Sequence, residues 1–192
     1  MTWRDTQPMG LLVATLLAAW SGGPPDSQTV RAVDGVNLAR YAGDWYEIAR
    51  FPNRFQRRCA GDVLASYAVR TDGQVDVVNR CRGEDGLATE ARGRARVVDP
   101  RTSSKLKVRF APALLSWLPL VWGDYWIVGL ADDYSWAVVG SPDRKYLWIL
   151  ARTNALAGEP YERALASARS NGFPVERLVT TRHGVVPAAT AR

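Results

Sequence analysis

The chain has 192 residues, enough for one domain with its own core, and its 47% hydrophobic and 23% charged residues exclude a wholly disordered polymer. The net charge of +6 raises nucleic acid, anionic membrane surfaces and anionic small molecules as partners. The basic residues are scattered along strand-like segments, with Arg54, Arg57 and Arg58 as the densest run, which argues against a nucleic-acid face.

In chain order, Met9 to Trp20 is apolar without interruption, yet shorter than the ~20 residues of a spanning helix. Arg4 precedes it and small residues Ala18, Ala19, Ser21, Gly22 and Gly23 follow, so residues 1–23 read as a signal peptide of an exported protein. Residues 24–32 read as a linker. From Gly43 onward, short alternating apolar runs are separated by turn signals, the pattern of an all-β sandwich or barrel. Residues 43–51 form the first run, and 62–70 with 74–81 form a hairpin across Thr71-Asp72-Gly73. Residues 88–98 set Ala91, Gly93, Ala95 and Val97 against Arg92, Arg94 and Arg96, and 105–110 set Leu106, Val108 and Phe110 against Lys105, Lys107 and Arg109. Each has one dry and one wet face.

Residues 111–122 are apolar where a loop should be polar, and Pro112 and Pro119 oppose a long helix. Leu114, Leu115, Trp117, Leu118, Leu120 and Trp122 are therefore expected to form a rim that dips into lipid or meets a second protomer, the alternative being a lid. Runs at 124–130, 135–140 and 146–151 complete about eight strands, which closure into a barrel would leave without exposed edges. Residues 160–171 form the convincing helix: Pro160 suits its first turn, Tyr161, Ala164, Leu165 and Ala168 make an apolar stripe, and Asn171-Gly172 ends it. Residues 184–192 read as a frayed tail. Two cysteines, Cys59 and Cys81, flank the hairpin, and in an exported chain they suggest a disulfide, with a bend at Ala60-Gly61 bringing the sulfurs together. The competing reading is a reactive thiol at Cys59.

Residues 40–58, RYAGDWYEIARFPNRFQRR, resemble the opening signature of the lipocalin family, above all its bacterial outer-membrane and apolipoprotein D-like branch. Gly43-x-Trp45 is the core of that signature. Asp132-Asp133-Tyr134 sits where the family carries Thr-Asp-Tyr, and Tyr146 to Thr153 resembles its last barrel strand with a terminal arginine. The resemblance spans residues 33–183 and implies an eight-stranded antiparallel up-and-down β-barrel with one α-helix packed outside. It also implies that Trp45 and Arg152, beside Gly43, plug the narrow end, a guanidinium over an indole face being favourable by about 0.5–2 kcal/mol. With those two as inward markers, alternation sends Glu47, Ala49 and Phe51, and Leu150, Trp148 and Tyr146, into the lumen. On the other strands the apolar sets and the family register add Ala65, Tyr67, Val69, Val77, Asn79, Leu106, Val108, Phe110, Tyr125 and Ile127. Such a lining suits a small apolar ligand, the alternative being a filled core.

By the resemblance, the function is binding, storage or transport of fatty acids, lysophospholipids or similar lipids for envelope maintenance, with no cofactor, no metal and no chemistry on the ligand. Twelve buried methylenes at about 0.8 kcal/mol each would supply roughly 10 kcal/mol gross, from which association takes several. Glu47, if buried, needs a partner or a raised pKa. Alternatives are a barrel for haem, a pigment or a protein partner, or a lipocalin-type isomerase or de-epoxidase. The enzyme reading has little to stand on: the single histidine, His183, falls at the tail, and there is no serine-elbow, P-loop or metal-ligand spacing. The expected location is the periplasm or the outer-membrane periphery, with peripheral membrane contact, a possible homodimer and no nucleic acid. The resemblance implies a lipobox cysteine after the apolar segment, as close bacterial relatives carry; residues 17–23 contain none, which tells against the covalent lipid anchoring that the resemblance would imply.

Overall fold

A computed structural model of the chain describes residues 29–184. The expected signal peptide, most of the linker and all but the first residue of the expected tail lie outside them. A four-residue helix α1 (Leu38–Tyr41) leads into β1 (Gly43–Arg50), followed by β2 (Cys59–Val69), β3 (Val75–Gly83), β4 (Ala88–Val97), β5 (Lys105–Arg109), β6 (Gly123–Leu130), β7 (Trp136–Gly140) and β8 (Leu147–Ala151). Helix α2 (Glu159–Ser170) and a two-residue strand β9 (Val179–Thr180) end the fold. From β1 to β8 each strand pairs antiparallel with the next, and β1 also pairs with β8, so eight strands close into a barrel.

Local chemistry sets the turns. Between β2 and β3, Gly73 takes φ +76° and Asp72 accepts a hydrogen bond from the Gln74 amide, which fixes the hairpin predicted from Asp-Gly. In an up-and-down barrel alternate connections share an end. The β1–β2, β3–β4, β5–β6 and β7–β8 connections therefore ring one mouth, while α1 and the other turns close the opposite end.

Alternation splits the apolar residues into two cores. The inner one holds Trp45, Val75, Val77, Ala95, Leu106, Ile127, Val139 and Leu150. The outer one packs Ile48, Phe51, Trp136, Val138, Leu147 and Ile149 beneath Ala164, Leu165 and Ala168 of α2 and beneath Phe173. Gly140 is the seat of Phe173: a Cβ there would lie 2.4 Å from its Cζ. Leu165 and Phe173 are 8% and 3% exposed, and burial of each side chain contributes about 1.5–3 kcal/mol to holding the helix on the barrel. Glu159 and Glu162 in its first turn and Arg169 in its last complement the helix dipole.

One irregularity changes which residues face inward. The β1–β8 register runs Glu47 with Leu150, then Ala49 with Ile149 and Arg50 with Trp148, so one residue of β1 is bulged out of the ladder. Beyond the bulge the parity reverses. Ala49 and Phe51, expected in the lumen, belong to the outer core, where Phe51 lies 6.3 Å from the ring of Phe173. Arg50 takes the inward position instead.

Candidate functional site

At the closed end, Arg152 sits with its guanidinium carbon 3.9 Å from the centre of the Trp45 ring. Nη1 donates to the Asp44 carbonyl at 2.8 Å, and Nη2 to the carbonyls of Arg40 at 2.7 Å, Ala42 at 3.0 Å and Tyr41 at 3.2 Å. The backbone can converge on one side chain because Gly43 turns at φ +95°, a conformation other residues resist. The Trp45 indole in turn donates to the Tyr41 carbonyl at 2.7 Å.

Above this floor the inner face of β4 records the shape of the lumen. Ala95, Gly93 and Ala91 stand opposite Val75, Val77 and Asn79 of β3, and moving toward the mouth they pass from buried through half-buried to exposed. Accessibility on this face thus falls from the mouth toward the floor. Near the floor, Leu38, Tyr41, Tyr67, Val75, Val77 and Leu106 are among the lining of a cavity of about 20 Å³ that Tyr125, Val69 and Val108 also border. That is room for about one water, far below the volume of a lipid site. A ligand reaching this depth must displace side chains.

The phenols of Tyr41, Tyr125 and Tyr67 form a chain, with oxygen separations of 2.8 and 2.9 Å. Burial pushes the Tyr67 pKa up to about 12 and those of Tyr41 and Tyr125 well above the ordinary phenol value, so all three stay neutral. Asn79 presents a buried Oδ1 with no hydrogen-bond partner among the described residues. Phe110, 45% exposed, lies across Gly93: a Cβ at that glycine would sit 2.7 Å from the Phe110 ring.

A polar cluster occupies the β1 side near the mouth. Glu47 is 2% exposed. Its carboxylate accepts hydrogen bonds from Gln56 Nε2 and Thr181 Oγ1, and its Oε1 lies 3.2 Å from Arg50 Nε. Desolvation raises its pKa, opposed by those two hydrogen bonds and by the charge of Arg50. Gln56 belongs to a 3₁₀ turn in the β1–β2 connection and also accepts from Trp148 Nε1 at 3.0 Å. Trp148 stacks on Tyr146, which meets Phe55 at 5.5 Å, so an aromatic column rises from the lumen to the rim. Thr181 and His183 come from the C-terminal segment, which runs beside β1 where β2 diverges: β9 pairs with Ala49 and Arg50, and Asp62 N–H donates to the Arg182 carbonyl. His183, which the sequence assigns to the edge of a tail, is instead packed, donating to the Glu47 carbonyl at 2.7 Å.

Cys59 and Cys81 form a disulfide with a Cα separation of 5.6 Å, across register shifts at Cys59/Gly61 and Gly61/Leu64. In the β5–β6 connection, Leu114, Trp117 and Leu120 are 76%, 75% and 97% exposed. Leu115, Leu118 and Trp122, expected on the same rim, are half-buried; the guanidinium carbons of Arg96 and Arg109 lie 4.4 and 5.3 Å from the centre of the Trp122 ring. Sequence reasoning missed Phe55 and Leu87, 65% and 66% exposed on the neighbouring mouth connections. Each is a single apolar residue in a polar loop, which carries no periodic signal.

A family model described as a lipocalin-like domain matches residues 36–183. The chain is 37% identical to temperature-induced lipocalin-1 of Arabidopsis thaliana over 164 residues, covering 84% of this chain and 87% of that protein. It is 35% identical to the outer membrane lipoprotein Blc of Escherichia coli K12 over 167 residues, covering 86% and 90%. Identity to apolipoprotein D of Mus musculus is 29% over 162 residues, 80% of each chain. Among solved structures, insecticyanin of the tobacco hornworm Manduca sexta superposes with a TM-score of 0.63 at 19% identity, over 85% of this chain and 88% of that one.

Proposed function

Because this chain belongs to the lipocalin family, whose members generally bind small hydrophobic ligands, we propose that it carries a single-chain lipid, a fatty acid or a lysophospholipid, inside its barrel and performs no reaction on it. The observation that supports this reading best is the inner face of β4, accessible at Ala91 and sealed at Ala95, the gradient expected of a tube entered from one end. The Glu47 cluster gives the mouth a polar collar, so an amphiphile enters tail first. Phe110 and the half-buried Val108, Tyr125 and Trp148 are the side chains that yield to it. The relatives named for the outer membrane and for lipoproteins support an exported carrier working beside a membrane.

Contact with that membrane falls to the mouth. Leu114, Trp117 and Leu120 share it with Phe55 and Leu87, and the exposed Arg54, Arg57 and Arg58 border the same end. Burying Leu114, Trp117 and Leu120 in lipid would contribute roughly 1.5–3 kcal/mol each, and the arginines add attraction to anionic headgroups. A carrier docked this way receives its ligand without exposing it to water.

The test is displacement of a fluorescent fatty acid from the full-length protein and from Val77→Trp, which fills the tube at mid-depth. Saturable binding at one site, abolished in Val77→Trp with the melting temperature retained, supports the carrier. Equal binding by both proteins contradicts it, and coloured purified protein would point to a pigment instead.

A further inference from the structure

We propose that Arg50 is the headgroup anchor of this lumen, pairing through its guanidinium with the anionic group of a single-chain amphiphile. The inference rests on the carrier reading and names the polar end of its ligand. It begins from the bulge between Glu47 and Ala49, which turns toward the barrel interior a residue that plain alternation from Trp45 would send outward.

Among the described strand residues that face inward, Glu47 and Arg50 are the charged ones, whereas Arg92, Arg94, Arg96, Lys105 and Lys107 lie on the opposite face of their strands. The Arg50 side chain is 17% exposed. A guanidinium carries five N–H donors, and burying it without acceptors is costly. Its Nε is buried and, although 3.2 Å from Glu47 Oε1, is not aligned for a hydrogen bond. No other hydrogen bond from this side chain reaches a described residue.

Glu47, by contrast, is well served. Gln56 and Thr181 donate to its two oxygens, fixing the carboxylate as a holder for Arg50 and leaving the terminal nitrogens as the unserved donors. Gln56 is itself tied to Trp148 and Asn53, so the collar is braced from β1, β8, the β1–β2 connection and the C-terminal segment. A carboxylate or phosphate offers two oxygens at the spacing of the guanidinium fork. Along β1, Arg50 stands five residues beyond Trp45, roughly 16 Å at 3.3 Å per residue. That depth lets a tail run toward the floor while its anionic end stays at the collar. A carboxylate from a fatty acid and a phosphate from a monoacyl phospholipid both satisfy this chemistry.

The experiment compares Arg50→Gln, Arg50→Lys and the parent, as full-length proteins, by titration with oleate, oleoyl lysophosphatidate and oleyl alcohol. An anchoring role predicts that Arg50→Gln weakens at least one anionic probe by about tenfold or more, the scale of a lost charge-assisted hydrogen bond. Oleyl alcohol should bind within twofold of the parent, and Arg50→Lys should recover part of the loss. The anionic probe that suffers more identifies carboxylate or phosphate as the preferred group. Unchanged affinity for both anions overturns the proposal, as does an equal loss across all three probes, which would mean that Arg50 acts through the fold. If the parent binds none of the three, the carrier reading itself fails and takes the anchor with it.

Discussion

Replacing Arg152 by alanine removes the one side chain on which the closed end converges, and the cost follows from its partners. The Asp44 and Arg40 carbonyls are exposed and recover water, so their loss is small. Of the partly buried carbonyls, Tyr41 keeps the Trp45 indole as its donor, whereas Ala42 and Tyr134 lose the Arg152 donor at about 1 kcal/mol each. Losing the guanidinium over the Trp45 ring, 3.9 Å away, adds about 1 kcal/mol. The sum is about 3 kcal/mol, which at roughly 2–4 °C per kcal/mol for a chain of this size lowers the melting temperature by about 6–12 °C. Differential scanning calorimetry reads the shift directly. Arg152→Lys, with the charge but without the planar fork, should fall between parent and alanine variant. Affinity for an apolar probe should change little in either variant, since the plug lies beneath the ligand path. If Arg152→Ala melts within about 2 °C of the parent, the guanidinium is not what holds the floor, and the reasoning is refuted.

Replacing Cys59 and Cys81 together by serine opens a cross-link spanning a sequence separation of 22 and should cost about 3 kcal/mol; equal urea midpoints for parent and double variant would contradict this. For Glu47, burial raises the folded-state pKa, so between the ordinary carboxylate value and the raised one the folded protein holds a proton that the unfolded chain has lost. Unfolding free energy therefore falls as pH rises through that window. Glu47→Gln removes the slope, and its stability relative to the parent should improve from about pH 4 to pH 7; a difference that stays constant with pH would sink the assignment. Substituting Trp117 and Leu120 by serine should weaken binding to anionic vesicles by at least about tenfold while leaving the melting temperature within about 2 °C. Undiminished vesicle binding would remove the membrane role of that loop.

Much of the barrel was legible because strands half-buried in a tube must alternate. Ala91, Gly93 and Ala95 against Arg92, Arg94 and Arg96 announced β4, Asp72-Gly73 announced a hairpin, and Pro160 with Asn171-Gly172 bracketed α2 to within one residue at each end. The same rule failed where the ladder is irregular. Counting from Trp45 holds as far as Glu47 and then inverts at the bulge, so that Phe51, which alternation sends inward, lies in the outer core. A bulge costs one unpaired residue and leaves no fixed signature in the run Glu47-Ile48-Ala49-Arg50. Long-range partners were equally hidden. Nothing local to Thr181 or His183 says that the C-terminal segment lies along β1, because that placement depends on β2 diverging near Asp62, which takes φ +54°. The sulfur pairing was easier to foresee, since the bend it needs falls beside Gly61 and the hairpin register places Cys81 opposite that region.

The claim on which the account depends is that an apolar chain lies within the tube. Methyl NMR of the full-length protein titrated with oleate reads this residue by residue. Interior binding predicts saturable shifts and intermolecular contacts at Val75, Val77, Leu106 and Val139, with Leu114 and Leu120 perturbed less. Shifts confined to Leu114 and Leu120, with those four inner side chains silent, would contradict it.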